Sequence, residues 1–141
     1  MKGDVFLQPL EVKCNPLTSS KKKIERKKTI RDKIKQAIGK DLEKIRKRSQ
    51  GKPLFLDVTF YLVKSEEKGR SKKDLDNLLK ILCDALSDDM VANNKNDELK
   101  GLGFMKDDEC IFKINCEKIL LEEKDKDKEG LRLSISEWSE S

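Results

Sequence analysis

The chain has 141 residues, 42% of them charged and 35% hydrophobic, which supplies one core and long solvated faces but no excess of apolar surface. It contains no histidine, so a Ser-His or Cys-His nucleophile and a histidine general base are excluded, leaving carboxylates, lysines or a metal for any catalysis. The net charge of +5 is uneven: residues 21–48 hold 14 Lys and Arg against 4 Asp and Glu, leaving −5 elsewhere, a polarity that suits a polyanionic partner on one side but also describes a lysine-rich solvated helix.

Residues 5–12, VFLQPLEV, form a strand candidate in which Pro9 argues for an edge position or a bulge. Beyond the turn chemistry of NPLTSS, Ile24, Ile30, Ile34, Ile38, Leu42 and Ile45 recur at helical spacing through the basic region, with Gly39 placed to split it into two helices. LFLDVTFYLV then alternates, with Leu54, Leu56, Val58, Phe60 and Leu62 on one face of a strand. After the polar loop KSEEKGRSKK, which ends in Lys72 and Lys73, the stretch KKDLDNLLKILCDALSDD predicts an amphipathic helix. Its apolar stripe is Leu75, Leu78, Leu79, Leu82 and Leu86, and Asp76, Lys80 and Asp84 share the opposite side.

Residues 87–103 lack a period and predict a long loop with room for one helical turn, lying near the partner and outside the core. Period two returns from Cys110, with Cys110, Phe112, Ile114 and Cys116 on the apolar face and Lys113, Asn115 and Glu117 on the other. EEKDKDKEG predicts a charged hairpin connection, and Leu131, Leu133 and Ile135 alternate with Arg132, Ser134 and Ser136 in a last strand ending near Trp138. The order β-α-β-α-β-β predicts one α+β domain over residues 1–141, a small mixed sheet of about four strands with helices packed on it.

Cys14, Cys83, Cys110 and Cys116 have no CxxC spacing, and with no histidine present a structural zinc site is not expected. No basic-then-apolar leader and no run of 18 apolar residues occurs, so a cytoplasmic protein without a membrane span is expected.

The chemistry concentrates where Asp74 and Asp76 sit one residue apart at a helix start, with Lys80 one turn on. One carboxylate there is an ordinary N-cap, and Asp76, Lys80 and Asp84 make common i,i+4 pairs worth ~0.3–0.5 kcal/mol each. Two carboxylates also begin a ligand set for Mg2+ or Mn2+, which take hard oxygen donors from different elements. A third donor has two candidate sources, Asp88-Asp89 and Asp107-Asp108. Asp88 follows Asp76 by 12 residues, and a continuing helix rising ~1.5 Å per residue would carry it ~18 Å away. Asp107 and Asp108 precede a strand that can start level with the helix N-terminus, and they are the better pair.

DLDNLLKILCDAL, followed by an acidic pair and a strand, resembles the signature of the RusA family of Holliday junction resolvases. The likeness rests on Asp74, Leu75, Asp76, Asn77, Lys80, Asp84, Ala85 and Leu86 together, and it is strongest over residues 52–138. It implies a homodimeric, Mg2+-dependent endodeoxyribonuclease, with Mn2+ a plausible substitute, that resolves four-way junctions by paired symmetrical nicks in DNA recombination and repair. Asp74, Asp76 and Asp108 would be the metal ligands and Lys80 the catalytic-site lysine, with Asp107, Asn77 and Asp84 as accessory candidates. Arg70, Lys72 and Lys73 would contact DNA phosphates. The link between DAL and the acidic pair looks longer than the family's usual one, which bears on substrate preference. The competing readings are a nuclease for other branched DNA such as flaps, and a non-catalytic DNA-binding protein.

Overall fold

In the computed structural model, residues 2–14, 23–64, 70–92 and 95–140 are described, and the side chains of residues 2 and 70–74 lie outside that description. The chain runs β1 (Lys2–Lys13), α1 (Lys23–Ile38), α2 (Leu42–Ser49), β2 (Leu54–Val63), α3 (Arg70–Leu86), β3 (Ile111–Leu121) and β4 (Gly130–Trp138). The strands make one mixed sheet in the order β1-β4-β2-β3, with β2 and β3 parallel and the other two pairings antiparallel. This is the α+β architecture expected from the element order.

Period two in β2 puts Leu54, Leu56, Val58, Phe60 and Leu62 on one face, each no more than 4% exposed. Leu131, Leu133 and Ile135 of β4 join them. Ile30 and Ile34 of α1, Ile45 of α2, and Leu78, Ile81, Leu82, Ala85 and Leu86 of α3 cover that face. Each such aliphatic or aromatic side chain contributes about 1.5–3 kcal/mol on burial. The other face alternates into Asp57, Thr59, Arg132 and Ser134, which suits water and explains why helices lie on one side only. The basic helix breaks at Gly39, whose φ of 70° ends α1 and starts the 3-10 turn leading into α2. Pro9 lies on the edge strand β1, where the register slips between Leu7 and Leu10.

Three expectations are corrected. β3 and β4 do not form a hairpin, because β4 inserts between β1 and β2 while β3 takes the other side of β2. Their connection is a 3-10 segment, Glu123–Lys128, after which the buried Glu129 carboxylate accepts the Val63 N–H at 3.0 Å. Being an edge strand, β3 also leaves part of its apolar face in water: Phe112 is 63% exposed.

Thirdly, residues 87–103 are not a loop outside the core. Met90, Leu102 and Phe104 are buried, while Val91 and Ala92 are exposed. The returning arm caps α3: the amides of Leu102, Phe104 and Gly103 donate to the carbonyls of Ala85, Leu86 and Ser87 at 2.8, 2.9 and 3.1 Å. Those are carbonyls that a helix end leaves without an intrahelical partner. The approach is so close that a Cβ on Gly101 would lie 1.9 Å from the Ser87 carbonyl oxygen. The one helical turn is present as Asp97–Leu99, and residues 93–94 lie outside the described residues.

Candidate active site

An α-helix aligns positions i, i+4 and i+7 on one face, and in α3 these are Asp76, Lys80 and Cys83. They line an open cleft of about 500 Å³ whose opposite side is Asp108 and the start of β3. Asp76, Lys80 and Asp108 are all exposed. Leu79, Ile111 and Ile114 supply apolar walls, and Phe112 and Lys113 complete the rim.

The two acidic neighbours at 107 and 108 do different work. The Asp107 carboxylate accepts the Glu109 amide at 3.0 Å and caps the 3-10 turn Asp108–Cys110. That cap directs the next residue, Asp108, to the cleft. Asp84, expected beside Asp76 and Lys80, turns elsewhere: eight residues at ~100° each place it ~80° around the helix from Asp76. There it pairs with Lys27 of α1 at 2.9 Å. Asn77 is exposed and is not a lining residue of the cleft. The backbone of Arg70, Lys72, Lys73 and Asp74 forms the first turns of α3, and their side chains lie outside the described residues.

Two thiols, Cys83 in the cleft and Cys116 farther along β3, report on its charges. Burial pushes the Cys83 thiol up to about 12, and the charges of Asp108 and then Asp84 add to the shift. Burial likewise raises Cys116 of β3, with Asp76 as the added cause. Asp108, from the turn before β3, thus acts on the thiol of the helix, and Asp76, from the helix, acts on the thiol of β3. The spacing of Cys83, three residues from Lys80 and seven from Asp76, is the sequence signal that it shares their side.

The basic stretch is not all available to a polyanion. Arg31 donates to the carbonyls of Glu98 and Lys100 at 2.6 and 3.0 Å, and Lys27 to that of Met90 at 3.1 Å. Arg46 donates to Leu102 O at 2.9 Å, and Ser49 to Phe104 O at 2.7 Å. Gln50 bridges Asp88 and the Gly103 carbonyl at 2.8 and 2.6 Å, while Asp89 pairs with Lys100. These groups hold the arm 88–104 against α1 and α2, and Lys33, Lys35, Lys44 and Lys47 remain exposed.

Among the described residues no three His, Cys, Asp or Glu side chains come together as a metal-binding group. The described donors of the cleft are two exposed carboxylates, Asp76 and Asp108. That set fits a magnesium-like ion, which keeps much of its water and commonly takes one or two carboxylates together with substrate phosphate oxygens. It does not make a zinc cage, since the chain has no histidine and Cys83 is the one thiol among the described lining residues.

No curated protein and no solved structure matches the chain at a significant level. Residues 9–135 match the family Endodeoxyribonuclease RusA, a span that takes in both sides of the cleft and the arm joining them. The chain belongs to the RusA family of Holliday junction-resolving endodeoxyribonucleases.

Proposed function

We propose that the cleft hydrolyses phosphodiester bonds at the crossover of four-way DNA junctions with Mg2+, or Mn2+ in its place, held by Asp76, Asp108 and Asp74. The observation that carries this reading is the meeting of Asp76, Lys80 and Asp108 in one open cleft from elements more than twenty residues apart in sequence. When bound, the ion lowers the pKa of a coordinated water and offsets the charge of the phosphate oxygens. The carboxylates orient that site, and Lys80 adds a positive charge beside the phosphate as negative charge builds on it. Arg70, Lys72 and Lys73, about two to three turns before Lys80 in α3, would take the flanking phosphates.

Paired symmetrical nicks require two sites, and a two-fold junction matches a two-fold homodimer with one cleft per subunit. Ile119 and Leu120, exposed on the edge strand β3 away from the cleft, support such an assembly, because an apolar sheet edge is seldom left open to water.

The deciding assay presents four-way junction, flap and linear duplex to the protein, each with and without Mg2+. Metal-dependent cleavage of the junction in preference to the others is expected. Equal cleavage of the flap would make this a general branched-DNA nuclease, and binding without cleavage would make it a non-catalytic DNA-binding protein.

A further inference from the structure

At the end of the sheet where β2 and β3 begin and β4 stops, two aromatic rings occupy the face that carries no helices. Phe55 and Trp138 lie edge to face, with ring centroids 6.4 Å apart and an interplanar angle of 69°. Both are half-buried, so each keeps ring surface in water. The Lys113 ammonium lies over both rings, 5.3 Å from the Phe55 centroid and 5.7 Å from that of Trp138, within cation–π range. In-register pairing of Phe55 with Lys113 holds them on one face, and the Trp138 amide donates to the Pro53 carbonyl at 2.8 Å, tying down the end of β4.

Lys113 is also a lining residue of the cleft that contains Asp76, Lys80 and Asp108. The aromatic pair lies on the helix-free face and the cleft on the helix-bearing one, and Lys113, on the edge strand where the two faces meet, borders both. We infer that Phe55, Trp138 and Lys113 form a stacking platform for unpaired nucleotides of a DNA strand whose neighbouring phosphate occupies the cleft. The inference rests on the reading of the cleft as a phosphodiesterase site and adds the part of the substrate recognised next to it.

The chemistry selects this occupant. Aromatic faces next to a lysine bind bases by stacking and the backbone by charge, without choosing among bases. A stacked duplex offers no free base face, whereas a branch point can release nucleotides from the stack. Lys113 passes from the rings to a phosphate as a base arrives, so the ring surface it covers becomes the surface the base takes. The polar neighbours on this face, Asp57, Ser134 and Ser136, are short and leave the rings as the broad apolar feature there.

Trp138 is the chain's single tryptophan, so its emission reads this spot alone. The full protein in EDTA is titrated with single-stranded oligothymidylate about ten nucleotides long, within the usual site sizes. Saturable quenching of Trp138 emission is expected. An abasic strand of equal length and charge should bind about tenfold more weakly and leave the emission unchanged. Trp138→Phe should retain affinity for a labelled oligomer, and Trp138→Ala should lose about tenfold. Unchanged emission at saturation, or equal binding of the abasic strand, overturns the platform using wild-type protein alone, whatever Trp138→Ala does to folding. Junction cleavage by the wild-type protein with Mg2+ is scored separately. Cleavage without quenching removes the platform and keeps the nuclease reading, whereas quenching without cleavage keeps a single-strand platform and removes the nuclease reading.

Discussion

Two polar clusters of this chain use the same residue types to opposite ends. In the clamp, Lys27, Arg31, Arg46 and Gln50 spend their donors on carbonyls of residues 90–103 and on Asp84 and Asp88. In the cleft, Asp76, Lys80 and Asp108 stand exposed around open space. The clamp satisfies groups that burial would otherwise leave unpaired, and its energy is conformational. Among the described residues none pairs as closely with the charges of the cleft, a poor use of carboxylates for stability and a good one for binding a cation and a phosphate. What separates them is the partner of each charge, which residue type alone does not reveal.

Substitutions should therefore divide cleanly between rate and stability. The largest effect is expected from Asp76→Asn, which removes a ligand charge from the proposed metal site without touching a buried contact. Junction cleavage should fall by at least about a thousandfold, or about 4 kcal/mol, while junction affinity in EDTA and the unfolding midpoint stay at wild-type values. Retained cleavage would take Asp76 out of the site. On the clamp side, Gly101→Val forces a side chain into the Ser87 carbonyl, which a Cβ would approach to 1.9 Å. A loss of about 3 kcal/mol in urea unfolding is expected. An unchanged midpoint would mean that the arm 99–104 can move off α3.

The contrast explains which parts of the molecule were legible in the sequence. β2 was readable because each of its alternate residues answers to one sheet face, and α3 because Leu75, Leu78, Leu79, Leu82 and Leu86 repeat at helical spacing. The stripe was still drawn too narrow: Ile81, Cys83 and Ala85 are also buried, because α1 packs on α3 from the side as the sheet does from below. The expectation of a loop outside the core at residues 87–103 fails because period reflects a face, and this arm has none. Its residues plug the core singly, as Met90, Leu102 and Phe104 do, and its backbone answers helix-end carbonyls. For the acidic residues before β3, the sequence points to the pair Asp107 and Asp108 and no further. Nothing in the letters tells that Asp107 caps a turn while Asp108 faces the cleft, since the choice depends on one backbone hydrogen bond. Asp84 was misdirected by treating i+8 as still on the face of i, although that spacing drifts by ~80°.

A milder test addresses the clamp without steric force. Arg46→Met keeps the aliphatic length of the side chain and removes the bond from Nε to the Leu102 carbonyl, together with the pair to Glu43. A loss of about 1–2 kcal/mol in unfolding free energy is expected, mostly from the carbonyl left without a donor. Cleavage per folded molecule should hold at low temperature, where the population remains native. If cleavage fell strongly while stability did not, Arg46 would belong with the cleft.

Cys83 lies where the two clusters meet and gives the finest measurement. Its thiol is held neutral up to about 12 by burial first, then by Asp108 of the cleft, then by Asp84 of the clamp. Below pH 9 folded and unfolded chains hold this proton alike. Between 9 and about 12 the unfolded chain releases it while the folded chain keeps it, so stability falls as pH rises through that window, with a slope approaching about 1.4 kcal/mol per pH unit. Cys83→Ala should flatten the alkaline loss of unfolding free energy in metal-free protein. Thiolate absorbance, taken as the difference between each variant and the same variant lacking Cys83, then compares the clusters directly. Asp108→Asn should bring the Cys83 titration to lower pH by more than Asp84→Asn does, because Asp108 is the larger of the two charge effects. The reverse order would mean that Asp108 stands farther from the floor of the cleft than Asp84 does, and the wall opposite Asp76 would have to be assigned to another residue.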